Sequence, residues 1–241
     1  MDKRFKTLIW DTKNFGYRVA SICCAQLSYF ELEGILYELR QKDIKLAYWF
    51  VDSKLASCNK VARESGGFLA DRKITYSREI PPTGYDDEVN KNIVSYLGKS
   101  LNDRLLKLSF EAGRYSRFRR DPRFEKSEFE IIYREWIRKS LSGKLAEEVF
   151  VYLRGDIEMG FVTVKSDLSG IAKIDLIAVD KNYRGYGIGN SLVGAAINWS
   201  SKKGCKKIVV ITQKANKTAC KFYEKLGFLK IKEESVYHFW L

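Results

Sequence analysis

The sequence predicts a mixed α/β fold: a mostly antiparallel sheet with flanking helices, preceded by a smaller N-terminal α/β domain. Three observations carry this. Through residues 1–100, short apolar runs of strand length alternate with stretches of helical periodicity. The C-terminal part reads strand-strand-strand-helix-strand-helix-strand-strand. A glycine-rich loop joins one of those strands to one of those helices. Apolar residues make up 45% of the 241 and charged residues 30%, a balance that supports a packed core and excludes disorder.

The elements follow in order. Residues 18–27 read as a strand, and residues 29–43 as a helix with Leu32, Ile35, Leu36 and Leu39 at helical spacing. The apolar run 46–51 is a buried strand. Residues 57–65 are helical and stop at Gly66-Gly67, and 68–77 are a strand closed by the Pro-Pro-Thr-Gly loop at 81–84. A short helix is expected over 86–97, and 105–110 suits either helix or extended chain. Between 114 and 124 five arginines interleave with three aromatics, and 129–141 again has helical spacing. Strands 148–153 and 158–165 are joined by the turn Arg154-Gly155-Asp156, and 171–179 is a third strand. Helix 187–203, strand 206–212, a helix over 216–226 stopped by Gly227, and strands 228–232 and 235–240 complete the chain. This gives an N-terminal domain over 1–100 and a C-terminal domain over 105–241.

Charge and composition narrow the function classes. Forty-three Lys and Arg against 30 Asp and Glu give +13, which favours an anionic partner: nucleic acid, acidic lipid, nucleotide or phosphorylated small molecule. No apolar run is long enough for a transmembrane helix, and the N-terminus lacks the apolar core of a secretory signal, so a cytoplasmic location is expected. Five cysteines without a C-x-x-C pair, and one histidine, argue for reduced thiols and against a metal site or a Ser-His-Asp triad.

The sharpest local feature is the loop Val179-Asp-Lys-Asn-Tyr-Arg184-Gly185-Tyr186-Gly187-Ile188-Gly189, between strand and helix. Without side chains, successive backbone N–H groups can converge on an anion, and the helix N-terminus adds its positive dipole end. A pyrophosphate fits there; so does a tight turn that uses glycine only for its geometry. The dinucleotide fingerprint fails at Asn190, and no Gly-Lys-Ser/Thr follows for a P-loop. A second element, Asn216 to Phe228, puts Ala219, Phe222, Tyr223 and Leu226 on one helical face, which by itself suits an ordinary core.

Together the two elements resemble the GNAT acyltransferase superfamily over roughly residues 105–241. The loop is similar to its R/Q-x-x-G-x-G/A motif and the helix to its N-x-x-A-x-x-[LF]-Y-x-K-x-G-F motif. The resemblance implies a GNAT sheet and acetyl-CoA as cosubstrate, with no metal. It implies that backbone amides of Arg184, Gly185, Tyr186, Gly187, Ile188 and Gly189 hold the pyrophosphate. Main-chain groups of Ile177, Ala178 and Val179 would meet the pantetheine arm and thioester, Asn216 would contact the arm, and Tyr223 would be the general acid that protonates the departing thiolate. Histone-type members carry a glutamate base six residues before the position of Val179; here that residue is Lys173, and Asp175 is the nearby candidate base. His238, in an aromatic strand, weighs as a core residue.

The extension ahead of that region resembles the dTDP-fucosamine acetyltransferase group, in Trp10-Asp-Thr-Lys-Asn14-Phe15-Gly16 and in Phe110-Glu-Ala-Gly113-Arg114-Tyr115. This implies a nucleotide-linked acceptor, a dTDP-4-amino-4,6-dideoxy sugar, used in lipopolysaccharide or other surface-polysaccharide synthesis, with the N-terminal domain contributing to acceptor binding. Arginines can grip its pyrophosphate and aromatics can stack on base or sugar; the candidates are Asn14, Phe15, Arg114, Tyr115, Arg117, Phe118, Arg119 and Arg120. A GNAT enzyme acting on a peptide amine, polyamine or antibiotic remains an alternative, as does a basic nucleic-acid-binding module on a degenerate fold. The intact loop, Asn216 and Tyr223 speak against degeneration. The expected partner is therefore the nucleotide-activated amino sugar, without nucleic acid or membrane; a homodimer through terminal strands is compatible.

Overall fold

The computed structural model describes residues 4–81 and 90–241. Its elements are β1 (Phe5–Thr7), α1 (Ile9–Phe15), β2 (Val19–Ile22), α2 (Tyr29–Gln41), β3 (Leu46–Asp52), α3 (Ala56–Glu64), β4 (Phe68–Glu79), β5 (Ile93–Ser95), α4 (Asp103–Ala112), α5 (Arg117–Arg120) and α6 (Lys126–Leu141). The chain continues through β6 (Glu148–Arg154), β7 (Ile157–Ser166), β8 (Ile171–Val179), a 3-10 turn (Lys181–Tyr183), α7 (Ile188–Lys202), β9 (Lys207–Gln213), α8 (Lys217–Lys225) and β10 (Leu229–Trp240). The expected mixed, mostly antiparallel sheet with flanking helices is the observed architecture.

Among the described residues, all the strands join one sheet in the order β1-β2-β3-β10-β4-β9-β8-β7-β6-β5, and only β2–β3 and β8–β9 pair in parallel. The sheet is continuous across the two segments read from the sequence: β3 and β4, from the first, flank β10, from the second. One face carries α1, α4, α5 and α6 over a core that includes Tyr48, Phe118, Phe124, Ile137, Phe161 and Leu176. The opposite face carries α7 and α8 over Ile74, Val162, Leu192, Val210 and Phe228. Beside them α2 and α3 cover Trp49, Tyr237 and Phe239.

Local chemistry explains most boundaries. Ser28 and Glu31 form a reciprocal capping box at the start of α2, and Leu32, Ile35, Leu36 and Leu39 are its buried stripe. Asn102 caps α4, which settles residues 105–110 as helix. Over residues 90–97 the expected helix is instead loop and the edge strand β5, where Ile93, Val94 and Ser95 pair with Tyr152, Val151 and Phe150; β-branched residues favour that pairing. Residues 86–89, and 82–84 of the expected loop, lie outside the described residues. The last two predicted strands are one. Glu233 and Glu234 look like a break, but Lys214 and Lys230 neutralise the first, Lys73 and Lys232 the second, and a register shift at Ile231 absorbs the bend.

Candidate active site

The site begins where two strands part. β8 and β9 pair only over Ile171–Ile174 and Lys207–Val210. Beyond that, β7 holds β8 as far as Val179, and β4 holds β9 as far as Gln213. Their inner edges are left open to each other. A register shift in β7–β8 accompanies the parting, and there the Leu176 N–H donates to Thr163 Oγ1 at 2.9 Å.

The glycine loop caps the wide end of this opening. Gly185 and Gly187 sit at φ +86° and +78°, left-handed values that strain any other residue. Among the described residues no group accepts a hydrogen bond from the backbone N–H of residues 185–190. The first bond of α7 comes from Ser191 N–H to Gly187 O. Gly189 serves packing instead, since a Cβ there would lie 3.2 Å from the Phe222 ring and its absence lets α7 approach α8. The glycines therefore set the turn and leave the amides of residues 185–190 unbonded. Arg184 anchors the loop, donating to Val179 O and to Glu111, each at 3.1 Å.

On α8, Asn216 is the N-cap and accepts from Ala219 N–H at 3.2 Å. Tyr223 is 3% exposed, its ring packed on Tyr76, Phe222 and Phe228. Burial pushes its phenol well above the usual tyrosine range, so it stays protonated and able to donate. Core packing and proton donation are thus compatible for this residue. Asp175 accepts from Lys165 and Lys173, each at 2.6 Å. His238 is fully buried against Asp121 at 2.8 Å, and burial lowers its pKa to about 4, leaving it neutral. It is a core residue, as expected.

The basic segment folds as α5 over β4 and against α6. Phe15 and Phe118 pack on each other and on Phe124, and Asn14 donates back to Trp10 O within α1. Those three residues build the fold. Arg114 lies over Tyr115 and Arg119 over Phe129. Arg117 and Arg120 converge. Arg117 lies 4.1 Å above the Tyr48 ring and 3.8 Å from Asp11, and Arg120 lies 3.9 Å from Asp71 on β4. Sequence reading missed Asp71; the available signal was a carboxylate placed directly after Leu69-Ala70 in a strand.

Among the described residues, no helix is long and apolar enough to cross a membrane, and no His/Cys/Asp/Glu group could hold a metal ion. Residues 106–228 match the Acetyltransferase (GNAT) family. The chain is 32% identical over 115 residues to N-alpha-acetyltransferase 30 of Schizosaccharomyces pombe, covering 45% of this chain and 74% of that protein. It is 26% identical over 130 residues to the spore coat polysaccharide biosynthesis protein SpsD of Bacillus subtilis, covering 52% of this chain but only 43% of that protein. A conserved protein of unknown function from Staphylococcus epidermidis shares the fold along the whole chain, with a TM-score of 0.67 at 13% identity over 92% of its length.

Proposed function

The chain belongs to the GNAT acetyltransferase family and uses acetyl-CoA as acetyl donor; we propose that its acceptor is the amino group of a nucleotide-linked amino-deoxy sugar, of the dTDP type, in surface-glycan precursor synthesis. The unpartnered amides of residues 185–190, with the Arg184 amide beside them, hold the donor's pyrophosphate. The opening between β8 and β9 takes the pantetheine arm in place of a strand neighbour, with Asn216 beside it. Main-chain groups of Ile177, Ala178 and Val179 orient the thioester and stabilise charge developing on its oxygen. The neutral amine attacks the carbonyl carbon, the C–S bond breaks, Tyr223 protonates the departing thiolate, and the proton lost by the nitrogen restores the phenol through solvent.

The observation that carries the acceptor class is the convergence of Arg117 and Arg120 on the face of the sheet that α5 covers. A guanidinium matches a diphosphate bidentately, and the Arg120 side chain is 43% exposed. The similarity to SpsD, by its name a protein of polysaccharide biosynthesis, supports this reading. The match to an N-alpha-acetyltransferase favours a second one, acetylation of a peptide N-terminus. Thiol release measured with a dTDP-linked 4-amino-4,6-dideoxy sugar, the free sugar and a short peptide separates them. We expect kcat/KM for the linked sugar to exceed that for the free sugar by about 10²-fold or more, the worth of one or two charge-assisted contacts. Equal values would show that the nucleotide is not read, and turnover of the peptide alone would establish the second reading.

A further inference from the structure

Neither Lys173 nor the lysine-bound Asp175 offers an unengaged carboxylate to take the proton that an ammonium must lose. We infer that Asp71 is the acceptor-side carboxylate of this enzyme, receiving the incoming ammonium and accepting its proton. This rests on acetyl transfer from acetyl-CoA, not on the acceptor's identity.

The placement comes from the strand register. Lys73 pairs with Gln213, the last residue of β9, so Asp71 lies just beyond the end of that strand. There the Lys214 N–H bonds Arg72 O at 2.7 Å before the chain turns into α8. Continuing the register from Ile174–Val210 sets Ile177 level with Gln213, and Val179 level with Asp71. Asp71 is therefore level with the open edge of β8, with its carboxylate on the side of the sheet that α5 covers. Where β8 and β9 still pair, β4 and β8 are two strand spacings apart, about 10 Å, and the parting of β8 from β9 widens this toward Asp71, room for a thioester and an amine.

The side chain is poised for a ligand. Asp71 is 5% exposed, and its Oδ1 is buried without a hydrogen-bond partner. Its ion-pair partner, Arg120 Nη1, is 3.9 Å away, outside hydrogen-bond distance. Asp71 pairs with Val236, and two residues along β10 His238 Nε2 is likewise buried and unpartnered. Buried acceptors without donors are costly and uncommon, and an ammonium supplies the missing donors. Around Asp71 stand Arg117 and Arg120 of α5, Lys73 of its own strand, Tyr133 of α6 and neutral His238 of β10, with Asp11 of α1 behind Arg117. Desolvation outweighs the cations and raises the Asp71 carboxyl to about 6. It is ionised at neutral pH yet basic enough to take a proton.

The step balances. The ammonium gives one proton to Asp71, the freed nitrogen lone pair forms the N–C bond, the C–S bond breaks, the thiolate is protonated by Tyr223, and the second proton lost by the nitrogen restores the Tyr223 phenol through solvent. Asp71 then returns its proton to solvent, so the products are amide, coenzyme A thiol and one proton.

Asp71→Asn keeps the shape and removes the charge. Wild type and variant are compared by thiol release with acetyl-CoA and a dTDP-linked 4-amino-4,6-dideoxy sugar across pH, and by thermal melting. We expect kcat at neutral pH to fall about 10²-fold or more, with the acetyl-CoA thermal shift unchanged. Wild-type kcat/KM should fall below about pH 6 and stay level from there to the amine's own pKa. The variant should instead climb about tenfold per pH unit over that interval, because only amine already neutral in solution can react. A kcat within about threefold and an unchanged profile would overturn the inference. If wild type leaves the amino sugar untouched, the acceptor class fails separately, and melting decides the role of Asp71. A carboxyl raised on folding weakens the fold as pH rises through its folded pKa, so the variant should melt higher than wild type at about pH 8, with the gap closing toward pH 4. A variant melting several degrees lower at pH 8 would make Asp71 a structural ion-pair partner and overturn the inference.

Discussion

The proposed donor side of the cleft is built from main chain and the proposed acceptor side from side chains. On the proposed donor side lie the unpartnered amides of residues 185–190 and the open edges of β8 and β9. On the proposed acceptor side, Asp71, Arg117 and Arg120 come from β4 and α5, far apart in the chain and brought together by the packing of α5 on β4. A main-chain site is specified by where glycine must stand. A side-chain site is specified by which residues the fold brings together, and its chemistry can change without changing the strands.

That contrast ranks the substitutions. The largest effect is expected at Gly187, where φ is +78° and the amide must be approached closely. Gly187→Val adds backbone strain of about 1–3 kcal/mol and blocks the cradle. The rise in Tm with acetyl-CoA should disappear in a melting assay, and an undiminished rise would detach the loop from the donor. Next is Tyr223→Phe, which keeps the packing and removes the proton. Steady-state kcat should fall about 10²-fold, with KM for acetyl-CoA moving less. A kcat within about twofold of wild type would leave Tyr223 as packing alone.

A smaller effect sharpens the acceptor side. Arg120→Ala should raise KM for the nucleotide-linked sugar about tenfold, the loss of one partly exposed charge-assisted contact, and leave the acetyl-CoA shift intact. A change in the acetyl-CoA shift instead would place Arg120 on the donor side. The smallest effect is expected at Asp175. With Lys165 and Lys173 both at 2.6 Å, Asp175→Asn should alter kcat by less than about twofold, because its lone pairs are already engaged. A loss comparable to that of Tyr223→Phe would restore Asp175 as the base.

The same contrast decides what could be read in advance. Arg184-Gly-Tyr-Gly187-Ile-Gly189 is contiguous, and the physics of left-handed glycines and converging amides leaves a local trace. The helix from Asn216 to Tyr223 was legible for the same reason. The arginines of 114–120 were visible as a basic segment, but composition could not show that Phe118 enters the core while Arg117 and Arg120 turn to the sheet. Asp71 was invisible, because its meaning depends on β4 lying between β9 and β10, a long-range pairing that no local pattern encodes. Short α1, α5 and β1 escaped because they carry less than two turns or one alternation of pattern. Residues 93–95 were misread because polar neighbours hid an edge strand.

Amide hydrogen exchange, read residue by residue, tests the division of the cleft most directly. The N–H groups of residues 185–190 have no partner in the free protein and should exchange fast. Saturating acetyl-CoA should slow exchange over 184–190 and leave 114–120 unchanged. Adding the acceptor's nucleoside diphosphate alone should slow 114–120 and not the loop. Unchanged exchange at 184–190 with acetyl-CoA bound would contradict the assignment of the donor to the main chain of this loop.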